Sequence, residues 1–307
     1  MPDRIRTSIR AMAAVAGGAL VLGVAGAAPA HAASPCTATP AKRTFAYRTI
    51  SGVPANLTSL DVYSPSKDCL KGHAAPVVLW VHGGAYRVGD KSQQVRDKIA
   101  LFASRRYVFV SINYRLTTSG PLSARYPDHF RDVASAVAWV RKNISRYRGD
   151  GRRLALLGHS AGADIVSNVA TNPQWLKERS LPLSALRCSA PLDTEGFNKP
   201  EAEAAEQQQW VAALGNNPDF LRGTSATLLA KPKLGLRPVI TVVRGTARRQ
   251  RIEQGFADAY RAAGVKATVI DARGLTHQEV NTRIGAAGDR VMTPPLLSFL
   301  KTCFAAR

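Results

Sequence analysis

Leu154-Ala155-Leu156-Leu157-Gly158-His159-Ser160-Ala161-Gly162 is the stretch on which the reading of the fold rests. Residues 154–157 form a continuous apolar run without the alternation of a half-exposed strand, so they read as a strand covered on both faces. A helix is expected over residues 160–171, and Gly158-His159-Ser160-Ala161-Gly162 joins the two as G-x-S-x-G. A serine between the end of a buried strand and the start of a helix needs a strained turn that pushes its hydroxyl out at the carboxyl edge of a sheet. Glycines two before and two after it relieve the crowding that such a turn creates. A structural turn is the plainer reading, but strand before and helix after make Ser160 the candidate nucleophile.

Working outward, residues 77–81, 107–112, 239–243 and 265–270 repeat the buried-strand pattern, and helical segments separate them. The clearest helix starts beyond Tyr126-Pro127 and carries Phe130, Val133, Ala134, Val137 and Val140 at three- and four-residue spacing. Others are expected over 250–263, with Gly264 in the stop position, and over 294–304. Residues 43–50 and 57–63 read as an opening hairpin around a turn at 52–55. Strands alternating with helices imply an α/β fold, a doubly wound, mostly parallel sheet flanked by helices. Residues 194–236 break the alternation with a helix over 201–209 and a loop-like stretch at 215–218, and they are the candidate small cap insertion.

The strand ending at Val81 runs into His82-Gly83-Gly84-Ala85-Tyr86, which brings flexible backbone to the same edge of the sheet as Ser160. Backbone amides there can point at a developing oxyanion. That hole is assigned to the amides of Gly83, Gly84 and Ala161, with preorganised donors commonly contributing about 3 kcal/mol each to barrier reduction.

HGGAY, Ser111 to Leu116, Tyr126-Pro127, Asp132, Trp139-Val140, Asn143 and GHSAG together resemble the hormone-sensitive-lipase and carboxylesterase branch of the α/β hydrolases. The likeness is dense from residue 77 to 166 and looser beyond. It implies ester hydrolysis through an acyl-enzyme, with no metal and no organic cofactor. In this fold the catalytic residues follow one another as serine, acid, histidine. Of the six histidines, His277 alone suits that order. His31, His73, His82 and His129 precede the serine, and His159 adjoins it. His277 follows the strand 265–270 in what reads as a loop, and it is the candidate general base. The resemblance also implies an aspartate in a Gly-Thr-x-Asp context after strand 239–243, but Gly245-Thr246-Ala247-Arg248 stands there. An arginine cannot orient an imidazole or stabilise an imidazolium. Asp193, at the end of the apolar segment 186–192, is the preferred replacement because a variant of this fold carries its acid after the preceding strand; Glu195, Glu253 and Asp271 remain alternatives.

The amino terminus bounds the rest. Arg4, Arg6 and Arg10 precede an apolar, small-residue run over 11–28 that ends in Ala30-His31-Ala32, the pattern of a signal peptide with an A-x-A cleavage site. Residues 1–32 are therefore expected to be removed and 33–307 to form one α/β-hydrolase domain, secreted, with no later segment apolar and long enough to span a membrane. Four cysteines are then expected to pair in an oxidising compartment. Three pairings are possible, and Cys36–Cys69 with Cys188–Cys303 is favoured because each ties a chain end to nearby framework. Their spacing is wrong for zinc.

The formal charge of +21 falls to +19 without the leader's three arginines and one aspartate. Scattered arginines with no recognition motif argue against nucleic acid as a partner. Electrostatic association with an anionic cell surface is the remaining expectation. The expected function is cleavage of a small-molecule or polymeric carboxylic ester. A catalytically silent binding protein and an amide hydrolase are the alternatives.

Overall fold

Each apolar run becomes a strand of one eight-stranded sheet, because its backbone groups find partners only in neighbouring strands once both faces are covered. The computed structural model describes residues 36, 39–120 and 123–306, apart from the side chain of Gln209; the expected signal peptide lies outside the described residues. The strands are β1 (Ala41–Ala46), β2 (Ser59–Ser64), β3 (Ala75–Val81), β4 (Val108–Ile112), β5 (Gly149–His159), β6 (Cys188–Leu192), β7 (Val239–Val243) and β8 (Ala267–Asp271). They lie in the order β1-β2-β4-β3-β5-β6-β7-β8. The expected hairpin pairs β1 with β2, β2 runs antiparallel to β4, and all other neighbours are parallel.

Alternation along the strands divides the core in two. Val77, Leu79 and Val81 face one way, against Phe130, Val133 and Val137 of helix Asp128–Asn143, Ile165 and Val169 of helix Ala161–Thr171, and Phe256 of helix Ala247–Ala262. Val78 and Trp80 face the other way, with Phe102 of helix Arg96–Ser104 and Leu296 and Leu300 of helix Thr293–Ala305. Both faces are covered, which is why these strands read as continuous apolar runs. The chain passes from β3 to β4 on one side and then to β5 on the other. The loops leaving β3 and β5 therefore flank the point where strand order reverses, the usual place for a ligand in an open α/β sheet.

Cys36–Cys69 and Cys188–Cys303 are both bridged, with Cα separations of 5.5 and 6.1 Å. Between β6 and β7 the chain forms a 3-10 stretch, Glu195–Glu201, and three helices, Ala204–Leu214, Pro218–Gly223 and Ala226–Leu229. The helix expected at 201–209 thus starts later and runs further. The stretch expected as loop at 215–218 is loop over 215–217, and its last residue, Pro218, opens the next helix. Gly215, at φ 84°, ends the first helix. The Asn217 side chain then accepts from the amide of Asp219, and Pro218 takes the first helical position, where its missing N–H costs nothing. Among the described residues, no helix is long and apolar enough to cross a membrane.

Candidate active site

Ser160 sits between β5 and helix Ala161–Thr171 at φ 58° and ψ −125°, backbone that non-glycine residues rarely adopt. Strain of this kind typically costs about 1–3 kcal/mol and persists where the surroundings over-determine it. Here close packing of the glycines does so. A Cβ on Gly158 would lie 2.5 Å from the carbonyl oxygen of Gly162, and one on Gly162 would lie 2.3 Å from that of Val81. The amide of Ser160 donates to the carbonyl of Leu192 at 3.2 Å, fastening the turn to the end of β6.

From that turn the Ser160 Oγ lies 2.9 Å from Nε2 of His277, and Nδ1 of the same ring lies 2.6 Å from Oδ2 of Asp193. An ionised carboxylate only accepts, so Nδ1 carries the hydrogen and Nε2 is left to accept the serine's proton. Asp193 follows β6 directly at φ 68° and is fully buried. His277 was expected in a loop; it is instead the first residue of helix His277–Thr282. Thr276 caps that helix, its hydroxyl accepting from the Glu279 amide while the Glu279 carboxylate accepts from the Thr276 amide. The T-x-x-E pattern of residues 276–279 is the sequence signal for this capping box. The buried Lys98 Nζ donates to the Asn281 carbonyl at 2.8 Å and pins the same helix from below.

The surroundings of Asp193 were not anticipated. Its Oδ1 accepts from Nε and Nη2 of Arg249 at 2.9 and 2.6 Å, and its Oδ2 also accepts from Nε of Arg244. Burial opposes ionisation, but the His277 hydrogen bond and the two guanidiniums prevail and hold Asp193 well below the usual carboxylate range. Glu253, in the same cluster, goes the other way. Burial, with the Asp193 charge adding to it, pushes Glu253 up to about 9 despite Arg249 beside it.

The alternative acids are therefore placed elsewhere. Glu195 accepts from Arg249 and from the Glu203 amide, Glu253 accepts from the Arg244 amide and Arg249, and the exposed Asp271 pairs with Arg273. Arg248, where the resembling family carries its acid, is exposed.

Gly83 belongs to the site by contact, since a Cβ on it would come 2.9 Å from the Ser160 Cβ. Gly84 needs its freedom, at φ 117° with the Val88 carbonyl where a side chain would stand. The amides of Gly83, Gly84 and Ala161 donate to no protein acceptor among the described residues. Of the other histidines, His159 is packed against His277 with ring centroids 4.4 Å apart and donates from Nε2 to the His277 carbonyl. Burial, helped by the neighbouring imidazole, pushes His159 down to about 3, so it adds no charge beside the base. His159, Asp193 and His277 each bring a potential ligand atom within 4.8 Å of the others. Two of those nitrogens are protonated donors with no lone pair free for a metal. Hydrogen bonding accounts for the grouping.

Ser160 and His277 open into a cavity of about 710 Å³ whose walls include Trp80, Arg87, Gln94 and Gln278, with Glu206 and Trp210 contributed by the insertion.

Residues 60–206 match the profile of the BD-FAE family. Carboxylesterase 3B of Mus musculus is 38% identical over 120 residues, 38% of this chain and 20% of the mouse protein. The para-nitrobenzyl esterase of Bacillus subtilis is 33% identical over 147 residues, 42% of this chain and 30% of that enzyme. The chain thus spans about a fifth to a third of the length of these curated relatives. Among solved structures, esterase B from Lactobacillus rhamnosis superposes with a TM-score of 0.68 at 17% identity, over 88% of this chain and 86% of the other. A truncated carbohydrate esterase from gut microbiota gives 0.69 at 16% identity, over 88% and 98%. The chain therefore has the α/β-hydrolase fold and is related in sequence to the carboxylesterase and para-nitrobenzyl esterase family.

Proposed function

We propose that this protein is a serine hydrolase that cleaves carboxylic esters through an acyl-enzyme, in the hormone-sensitive-lipase and carboxylesterase branch of its fold. The observation that carries the reading is the unbroken hydrogen-bond series from Ser160 Oγ through the His277 ring to Asp193. A binding module has no need of a strained serine, an oriented imidazole and a buried carboxylate in register. His277 Nε2 takes the serine proton as Oγ attacks the ester carbonyl, and the amides of Gly83, Gly84 and Ala161 receive the oxyanion. The protonated ring then gives its proton to the departing alcohol. In the second half it takes a proton from water, which attacks the acyl-serine, and returns that proton to Oγ. Asp193 holds the tautomer throughout and stabilises the imidazolium. The HGGAY sequence and the carboxylesterase relatives support the assignment to this branch.

The test is hydrolysis of p-nitrophenyl acetate. The wild type should turn it over with a burst of one acyl group per chain, and Ser160→Ala should lose about 10⁴-fold or more in kcat. Equal activity in both proteins sinks the reading.

The same reading places the protein outside the cytoplasm, after cleavage near Ala33. Two disulfides support it, since such bonds persist in oxidising compartments. Amino-terminal sequencing of protein from culture medium checks it, with residues 1–32 retained as the contrary result. The +21 of the full chain, +19 without the leader's three arginines and one aspartate, supports retention near anionic cell-wall polymers. Retention should be lost in high salt, and salt-independent behaviour contradicts it.

A further inference from the structure

We propose that Arg249 is a positioning residue: its guanidinium forks onto Oδ1 of Asp193 and thereby keeps Oδ2 turned to Nδ1 of His277. The proposal rests on the serine-hydrolase reading above. The geometry divides the carboxylate cleanly, with both Arg249 donors on Oδ1 and His277 on Oδ2, where Arg244 joins it. Two donors of one planar group converging on Oδ1 anchor that oxygen from a fixed direction, which a single flexible ammonium does not.

The local chemistry of the helix gives no other reason for this arginine. Arg249 stands in the first turn of Ala247–Ala262, a turn without an acidic residue, where the positive end of the helix dipole disfavours a cation. It is nonetheless buried, and it is held by Asp193, Glu195 and Glu253, with Glu206 at 3.6 Å. A choice that runs against local preference marks a functional site more often than an accident. In the turn after β7, where the resembling family carries its acid, this chain instead supplies the cations that hold an acid borne by β6.

Glu253 shows what the fork limits. Its carboxyl keeps a proton up to about 9 and shares the buried cluster with Asp193, so it is a second donor able to compete with His277 for that carboxylate. Arg249 Nε, 3.2 Å from Glu253 Oε1, and the Arg244 amide, 2.8 Å from Oε2, fix where Glu253 sits beside Asp193. Without Arg249, Asp193 is free to turn toward the Glu253 acid, and His277 loses its orienting partner while the substrate cavity keeps its walls.

The test compares wild type, Arg249→Met and Arg249→Lys on p-nitrophenyl acetate, with competent sites counted by the acylation burst. In Arg249→Met, kcat per counted site should fall at least tenfold while KM stays within twofold. Arg249→Lys keeps the charge without the fork and should lie between the two. A merely structural arginine would lower the number of competent sites and leave kcat per site unchanged, and that result overturns the proposal. If Arg249→Met yields no folded protein, Arg249→Lys decides alone: reduced kcat at unchanged KM supports the fork, and wild-type kcat overturns it. Ser160→Ala run in parallel separates the two levels. Hydrolysis persisting there defeats the serine-hydrolase reading itself, whereas serine-dependent activity untouched by Arg249→Met defeats only the positioning role.

Discussion

Asp193 and Glu253 sit in one buried cluster, yet their environments drive them in opposite directions. Asp193 stays ionised because a hydrogen bond from His277 and two guanidiniums outweigh its burial, whereas Glu253 remains protonated to about 9. Pairs of titratable groups driven apart in this way are how a site assigns its charged and neutral members. Asp193→Asn should therefore cost about 10³- to 10⁴-fold in kcat at pH 7, the loss expected when the imidazole takes the wrong tautomer. Glu253→Gln, which replaces a neutral acid by a neutral amide, should cost less than tenfold; steady-state kinetics on both variants checks this. A stability effect accompanies it. Raised above its ordinary 4.5, Glu253 contributes stability that is complete below that value and is lost as pH rises through about 9. Urea unfolding at pH 6 and 9 should show the wild type losing ground to Glu253→Gln, and a constant gap contradicts the assignment.

The elements that carry the site differ in how legible they were from the residues alone. The strand–turn–helix around Ser160 was readable because its constraint is local: Gly158 and Gly162 are there to let the helix and the β3 carbonyls approach. The HGG loop was readable for the same reason. His277 was found by its place in the chain, but the helix it begins was missed, although Thr276 and Glu279 stand at capping-box spacing. That cap sets where the imidazole starts. Thr276→Val should cost about 1 kcal/mol of stability and lower kcat more than it raises KM, as read by thermal unfolding and kinetics together; an unchanged kcat separates the cap from the chemistry. The Arg249–Asp193 contact had no such signal, because it joins residues 56 apart in the chain through tertiary structure alone. The absent aspartate at 248 was visible in the sequence, but not the cations that hold its replacement.

Over the whole molecule, one sheet brings the loops after β3, β5, β6 and β8 to a common edge, so residues from 83 to 277 meet in one cavity. The second disulfide closes this frame. Cys188 opens β6, which ends beside Asp193, and Cys303 lies on helix Thr293–Ala305, 115 positions further along the chain. Cross-linking so long a loop limits the unfolded chain, and removing the bridge by Cys188→Ser with Cys303→Ser should cost about 3–5 kcal/mol in denaturant unfolding. A loss under about 1 kcal/mol contradicts that view. The whole-chain arrangement was legible in outline because buried parallel strands announce themselves as apolar runs. The insertion was less so, since its short helices depend on caps such as Asn217 more than on periodicity. The central claim is that Ser160 is an activated nucleophile, and labelling with a fluorophosphonate followed by peptide mass spectrometry tests it most directly. The account predicts a single adduct on Ser160, formed in the wild type and absent from Ser160→Ala; an adduct on another residue, or labelling that persists in Ser160→Ala, contradicts it.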